Sequence, residues 1–278
     1  MKDKIIITKA TGEREAFDSN KLRSSLLRSK AEPHIVDEII DRIGFELKDG
    51  MTTAEIYRNA FSLLKEKHVK ASVRYSLRNA VMDMGPTGFP FEKLIGEIWR
   101  AKGFETTTDF MAMGKCVEHE IDVTAWNNEK LIMIEAKFHN EFGIKSDLKT
   151  VLYVNSRWAD LQDQKFDGFL GQKTLSEGWL ITNTKFTEQA IKYAQCRKMN
   201  LIGWNYPETG NLQDLIEENN MHPITSLKSI GPREERLLME AGIVLCKQAK
   251  ENQDVVRQTG IVGEKFVEMM QEIDLIQQ

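Results

Sequence analysis

The chain has 278 residues, is 41% hydrophobic and 29% charged, and carries a formal net charge of -4. This is the composition of an ordinary globular chain with room for two or three domains, not of a disordered or fibrous one. No apolar run is long enough to cross a bilayer, the apolar stretch near Met1 is too short for a secretory signal, and Cys116, Cys196 and Cys246 are too scattered for a disulfide framework, so a cytoplasmic protein is expected.

The charge is uneven. Residues 1–85 hold 16 Lys+Arg against 13 Asp+Glu, residues 86–221 hold 15 against 20, and residues 222–278 hold 7 against 9. No segment is a strongly basic module, which argues against tight, nonspecific DNA binding, although phosphate recognition needs only local positive charge.

In the first segment, Ile5–Ile7 reads as a strand, Thr11-Gly12 as a turn and Glu13–Phe17 as a second strand. Asp18 or Ser19 can cap a helix over Lys21–Ser29. Pro33 begins a second helix, with Ile35, Val36, Ile39, Ile40 and Ile43 at helical spacing. Thr52-Thr53-Ala-Glu55 opens a third helix with a capping box, and a fourth runs from about Val69 to Met84. Lys21, Arg23, Arg28 and Lys30, with Lys65, Lys67, Lys70, Arg74 and Arg78, give a basic face that suits phosphates or an ordinary solvated surface.

Ile7-Thr-Lys9-Ala-Thr-Gly12, Glu15-Ala-Phe17-Asp18-Ser-Asn-Lys21-Leu, Thr53-x-Glu55-Ile56 and Ala71-x-x-Arg74-Tyr75 resemble the ATP-cone, a nucleotide-binding regulatory domain. The resemblance implies ATP or dATP as a regulatory ligand, with Lys9 and Lys21 near its phosphates. Ala10 stands where that family usually carries a basic residue. A helix N-terminus near Ser19 would add backbone N–H groups to such a site.

Gly85-Pro86-Thr-Gly88-Phe-Pro90 reads as a linker. Beyond it, a helix is expected over Pro90–Lys102 and strands near Phe104–Thr108, Glu118–Trp126 and Leu131–Phe138, with Asn127-Asn128 as a hairpin turn. A helix near Asp147–Asp163, a strand at Trp179–Thr182, a helix at Thr187–Lys198 and a strand at Leu201–Trp204 complete an α/β arrangement. Glu118-His-Glu-Ile-Asp122 places an aspartate late on an alternating pattern, and Glu135-Ala136-Lys137 puts a glutamate and a lysine on one face of the next strand. A hairpin can bring Asp122 beside them. Two carboxylates can hold a hard cation such as Mg2+ or Mn2+, and a lysine next to them can orient the attacking water or balance developing charge.

This Asp…Glu-x-Lys spacing resembles the motif of restriction-endonuclease-like nucleases. Phe91-Glu92-Lys-Leu-Ile-Gly-Glu-Ile-Trp-Arg-Ala-Lys-Gly103-Phe resembles the opening helix of the Mrr-type branch, and Gly178-Trp-Leu-Ile-Thr-Asn-Thr-Lys-Phe-Thr-Glu-Gln-Ala190 its later strand and helix. Mrr-type members often carry Gln where Glu135 stands. The resemblance, over roughly residues 86–206, implies a restriction-endonuclease-like core that hydrolyses DNA phosphodiesters. Asp122, Glu135 and the carbonyl of Ala136 would hold metal, with Lys137 catalytic. Glu92 either joins that site or is a solvated helix residue. His139 is placed on the face of Lys137, as a site residue or a bystander. Cys116, His119 and His139 make a poor zinc set by spacing. Gln162, Lys165 and Gln172 suit phosphate contact or a solvated surface.

In the last segment, Ile224-Thr-Ser-Leu227-Lys-Ser-Ile230-Gly231-Pro232 through Leu238 predicts two short helices hinged at Ile-Gly, echoed at Val255 through Gly260-Ile-Val-Gly263-Glu-Lys265. Both resemble helix-hairpin-helix units, together an all-α tandem domain. The resemblance implies that Gly231, Gly260, Gly263 and Lys265 offer N–H groups and charge to duplex phosphates without reading bases. Pro232 removes one donor from the first hairpin.

The expected organisation is an ATP-cone-like domain over 1–85, a nuclease domain over 86–221 and a hairpin domain over 222–278. The expected function is a nucleotide-regulated, Mg2+-dependent DNA endonuclease acting on double-stranded DNA. A homo-oligomer is expected, since duplex cleavage by single-site nucleases commonly needs two sites, and a role in defence follows from the resemblance alone. The alternative is a nucleotide-responsive DNA-binding regulator whose nuclease-like fold does not cleave; a third reading makes the acidic last segment a protein-interaction module.

Overall fold

The computed structural model describes residues 5–277, apart from the side chains of Val69 and Lys70. Residues 1–4 and 278 lie outside the description. The chain divides into two compact units, residues 1–79 with 274–278, and residues 80–273.

The first unit opens with an antiparallel hairpin of β1 (Ile6–Thr8) and β2 (Arg14–Ala16), with Ile7 opposite Glu15. The turn between them passes through Gly12 at φ 81°. Helix α1 (Ser19–Arg28) is capped by Asp18, whose side chain accepts the Asn20 N–H at 2.9 Å. Helix α2 (Pro33–Glu46) starts on its proline, which lacks the N–H a first turn would leave unsatisfied. Helix α3 (Thr53–Lys67) begins in the expected capping box of Thr52 and Glu55. Helix α4 (Val69–Met82) contains the division between the units. The apolar stripes of the first three helices meet at Leu26, Val36, Ile39, Ala60 and Leu64, all buried. Each fully buried leucine, isoleucine or valine side chain here contributes about 1.5–3 kcal/mol. The hairpin is tied to the α2–α3 connection through Thr8 N–H to Met51 O at 3.0 Å and Gly50 N–H to Ile6 O at 2.7 Å.

In the second unit, helix α5 (Phe89–Ala101) precedes three antiparallel strands, β3 (Glu105–Met113), β4 (Glu118–Trp126) and β5 (Leu131–Lys137). β6 (Lys145–Ser146) leads into α6 (Leu148–Leu161), followed by the small hairpin β7 (Lys165–Phe166) and β8 (Lys173–Thr174). Then come β9 (Glu177–Thr182), β10 (Lys185–Phe186), α7 (Glu188–Arg197) and β11 (Asn200–Ile202). The main sheet has the order β11-β9-β5-β4-β3; β5, β9 and β11 run parallel, and β6 pairs in parallel with β10. Trp179 of β9 meets Trp99 of α5 with ring centroids 5.5 Å apart, while its neighbour Leu180 enters the core formed with α6 and α7. Alternate side chains of a strand point to opposite faces, so helices cover both sides of the sheet.

β3 is longer than the expected Phe104–Thr108. It continues past Asp109, which adopts φ 57° and is skipped in the register between Thr108↔Val123 and Phe110↔Ile121. An aspartate tolerates the left-handed region better than most residues, so the strand resumes after it.

Helix α8 (Leu212–Glu218) precedes the helical tail: α9 (Pro232–Glu240), α10 (Cys246–Glu251), α11 (Gln253–Gln258) and α12 (Gly263–Gln277). The first of the two expected helices here is only a single tight turn at Ile224–Ser226. Ile224 N–H donates to Val244 O at 3.0 Å, and Cys246 N–H to His222 O at 2.9 Å. These pairings hold that segment extended on either side of the turn. Gln248 Nε2 reaches Glu97 of α5 at 3.3 Å, and Thr225 Oγ1 donates to Ala80 O at 2.6 Å. Among the described residues, no helix is long and apolar enough to cross a membrane.

Candidate functional site

The β4–β5 ladder pairs Trp126 with Leu131 and ends at Val123↔Ile134. One residue further, the strands separate. Asp122 Oδ2 accepts the backbone N–H of Ala136 at 2.8 Å, a side-chain bond that replaces the next rung. β5 continues paired on its other side, with Glu135 opposite Leu180 and Lys137 opposite Thr182 of β9. The gap therefore opens where Asp122 and Glu135 stand, and Lys137 is exposed at the end of β5.

Carboxylates accumulate at this gap. Burial pushes Glu135 up to about 7, helped by the neighbouring charge of Asp122. Asp122 is also raised by burial, and the Ala136 N–H acts against that rise. Glu92, in the first turn of α5, is pushed up to about 7 by burial and by the charges of Asp122, Asp109, Glu120 and Glu135. The structure thus brings Glu92 into the electrostatic field of Asp122 and Glu135. Lys137 opposes the rise at Glu135, as does Arg157 of α6, which pairs with the Glu135 carboxylate and also donates to Glu120 O.

Like charges held together out of water are costly unless a cation joins them. Among the described residues, no hydrogen bond reaches Asp122 Oδ1 or Glu135 Oε1. Two free carboxylate oxygens in a field of excess negative charge fit a hard divalent cation. Among the described residues there is no cluster of three or more His, Cys, Asp or Glu side chains arranged as a metal cage. The candidate set is therefore two carboxylates supplemented by main chain, with Ala136 between Glu135 and Lys137 as the source.

The remaining sequence candidates lie elsewhere. β5 stops at Lys137, so His139 does not continue the strand; its Nε2 lies 2.9 Å from Ser146 Oγ and its N–H donates to Asn183 Oδ1. His119 Nε2 lies 2.9 Å from Asp160 Oδ2, and the same carboxylate side chain accepts the Cys116 N–H. Gln162 follows the last residue of α6, Gln172 donates to Asp167, and Lys165 is exposed on β7. In the first unit, Lys9 and Lys21 converge on one carboxylate, Glu15, at 2.8 and 3.2 Å. Arg23 pairs with Asp37 and Lys67 with Glu38, so part of the basic face is internally balanced.

In the tail, the Gly231 N–H is not free for a phosphate: it donates to Glu234 Oε2 at 3.0 Å. The adjacent N–H groups of Lys228 and Ser229 donate to the Glu272 carboxylate at 2.8 and 2.9 Å. Lys265 pairs with Glu234, whose carboxyl is held down near 2 by that lysine and by the Gly231 N–H. The turn before α9 therefore carries its own anions. Gly260 and Gly263, at φ 92° and 63°, lie at the turn between α11 and α12, with Val262 exposed between them.

Arg157 and Asp109 were not anticipated. Arg157 had no sequence signal, being on a helix 22 residues from Glu135. Glu120 could have been found, since it lies two residues from Asp122 and shares its strand face.

Residues 85–205 match the family model described as Restriction endonuclease, and residues 222–276 match the model described as AF1548-like, C-terminal. An uncharacterized protein of Archaeoglobus fulgidus is 36% identical over 171 residues, covering 61% of this chain and 92% of the relative. A solved structure titled "Crystal Structure of Protein of Unknown Function AF1548" superposes with a TM-score of 0.57 at 32% identity, over 68% of this chain and 98% of that one. The chain belongs to this AF1548-like family, and its second unit carries a restriction-endonuclease-like domain.

Proposed function

We propose that the protein is a divalent-metal-dependent DNA endonuclease. The observation that carries the reading is the parting of β4 and β5 at Asp122 and Glu135, with Lys137 beside them, inside a restriction-endonuclease-like domain. Asp122, Glu135 and the carbonyl of Ala136 would hold Mg2+ or Mn2+. When bound, the ion supplies positive charge to phosphate oxygens and a more acidic water. Lys137 then orients the attacking water by hydrogen bonding and stabilises the charge that grows on the phosphoryl oxygens. Glu92 adds a third carboxyl from α5.

The partner is double-stranded DNA. The second hairpin, Gly260–Gly263, would meet a phosphate through backbone N–H groups, with Lys265 supplying charge once it leaves Glu234. The first hairpin would contribute little, because Glu234 and Glu272 already fill it. ATP or dATP at the first unit would tune the activity. The convergence of Lys9 and Lys21 on Glu15 supports this reading, since two lysines that reach one carboxylate can also reach one phosphate. Action as a homo-oligomer and a role against foreign DNA belong to the same proposal.

An end-labelled duplex incubated with Mn2+ tests it. Shorter fragments that stop forming on addition of EDTA, and do not form with Glu135→Gln, are expected. An intact duplex with Mg2+ or Mn2+, at every nucleotide condition, overturns it.

A further inference from the structure

The carboxylate cluster contains one buried cation that the Asp…Glu-x-Lys spacing does not include. Arg157 lies late in α6 and is only 7% exposed. One terminal guanidinium nitrogen donates to Glu135 Oε2, and the other terminal nitrogen donates to the backbone carbonyl of Glu120. The guanidinium carbon sits 5.6 Å from the centre of the Tyr153 ring, one turn earlier on the same helix. That contact steadies the plane of the fork.

The placement matters because the sheet itself does not fix this region. The β4–β5 ladder ends at Val123↔Ile134, so main-chain bonds do not set the spacing of the strand ends that carry Asp122 and Glu135. Among the described residues, two ties cross the gap. One is the Asp122 carboxylate on the Ala136 N–H. The other is Arg157, which grips β4 at Glu120, two residues before Asp122, and β5 at Glu135 itself. Arginine presents its donors in a rigid planar fork, so gripping both points fixes their separation. It engages Glu135 through Oε2, so Oε1 stays available to an ion.

We infer that Arg157 is a positioning residue for the divalent-ion site, tying the Glu120 carbonyl to the Glu135 carboxylate so that Asp122 and Glu135 are held at a spacing that takes one ion. The inference rests on the metal-dependent reading above. A cation that merely competed with the metal for Glu135 would act in the opposite direction, and its removal would tighten binding.

The test is Mn2+ binding by the full chain, read from the free-ion signal in electron paramagnetic resonance. It compares wild type with Asp122→Asn, Arg157→Met and Arg157→Lys. Wild type should bind, and Asp122→Asn should not. Loss of a residue that orients a metal ligand costs about 10–100-fold in affinity, so Arg157→Met should fall by that amount. Arg157→Lys keeps the charge but lacks the fork, and should be weakened about tenfold by the same reasoning. DNA affinity measured in EDTA should be equal in wild type and the charge-conserving Arg157→Lys, a pattern that general loosening of the fold would not give. Wild-type or tighter Mn2+ binding by either Arg157 variant overturns the inference while leaving the metal site standing. If Arg157→Met does not fold, Arg157→Lys decides alone. Failure of the wild type to bind Mn2+ overturns the metal reading and this inference together.

Discussion

Asp122 Oδ2 accepts the N–H of Ala136 at 2.8 Å, across the point where β4 and β5 cease to pair. A side chain thus does the work of a sheet rung, and it leaves two carboxylates in a partly buried gap. That arrangement makes the metal-free protein pH-sensitive in a defined direction. Glu92 and Glu135 sit near 7 in the folded chain, above their ordinary value of 4.5. The folded state therefore holds protons that the unfolded chain releases, so stability falls as pH rises from about 4.5 to 7. Urea unfolding in EDTA should show this decline, and Mn2+ should reverse it at pH 7. A metal-free midpoint that rises over the same range would contradict the account.

Asp109 stands across from Asp122 with φ 57°. The left-handed conformation costs an ordinary L-residue about 1–2 kcal/mol and glycine little. Asp109→Gly should match or exceed wild type in thermal stability, since it also removes a charge from the carboxylate cluster. Asp109→Val should lose about 1–2 kcal/mol. Denaturant midpoints of the two variants, measured side by side, check this order.

Asp160 gives a pH effect of opposite sign. Its side chain meets His119 and accepts the Cys116 and Val117 N–H groups, and it is held near 2, mainly by His119, against an ordinary 3.8. This stabilisation is complete above about pH 4 and is lost as pH falls towards 2. Asp160→Asn lacks it throughout. The variant should be weaker than wild type at pH 5, and the gap should close by pH 2, as followed by far-ultraviolet circular dichroism in urea.

Glu15 balances both Lys9 and Lys21. If those lysines serve phosphates, Glu15 competes with the ligand. Glu15→Gln should strengthen ATP or dATP binding several-fold in calorimetry, and Lys9→Ala or Lys21→Ala should weaken it. Equal heats from all four proteins would remove nucleotide control from the account.

Much of the sheet was legible because its central strands are short apolar runs bounded by turn residues, as in residues 131–134, which are buried in succession. Glu118–Trp126 matches β4 end to end, and Asn127 forms the expected turn, its N–H donating to Lys130 O at 3.0 Å. The Asp, Glu and Lys of the site lie on adjacent strands of one hairpin, so spacing alone could propose their meeting. Arg157 could not be found that way, because nothing local marks a helix residue as the partner of a strand 22 residues back. Asp109 was missed because a positive φ leaves no trace in side-chain pattern. In the tail, Gly231-x-x-Glu234 has the spacing of a capping arrangement, which is a readable signal that the Gly231 N–H is taken. Glu272, 43 residues from Ser229, gave none.

The central claim is that Asp122, Glu135 and Lys137 cut DNA with a divalent ion. The most direct measurement is cleavage of supercoiled plasmid with Mg2+ or Mn2+, with and without ATP and dATP, by wild type, Asp122→Asn and Lys137→Ala prepared identically. The account predicts cleavage by wild type and a fall of about 10²–10³-fold in each variant, without loss of DNA binding. Equal cleavage by all three proteins, or none by wild type in any condition, would contradict it.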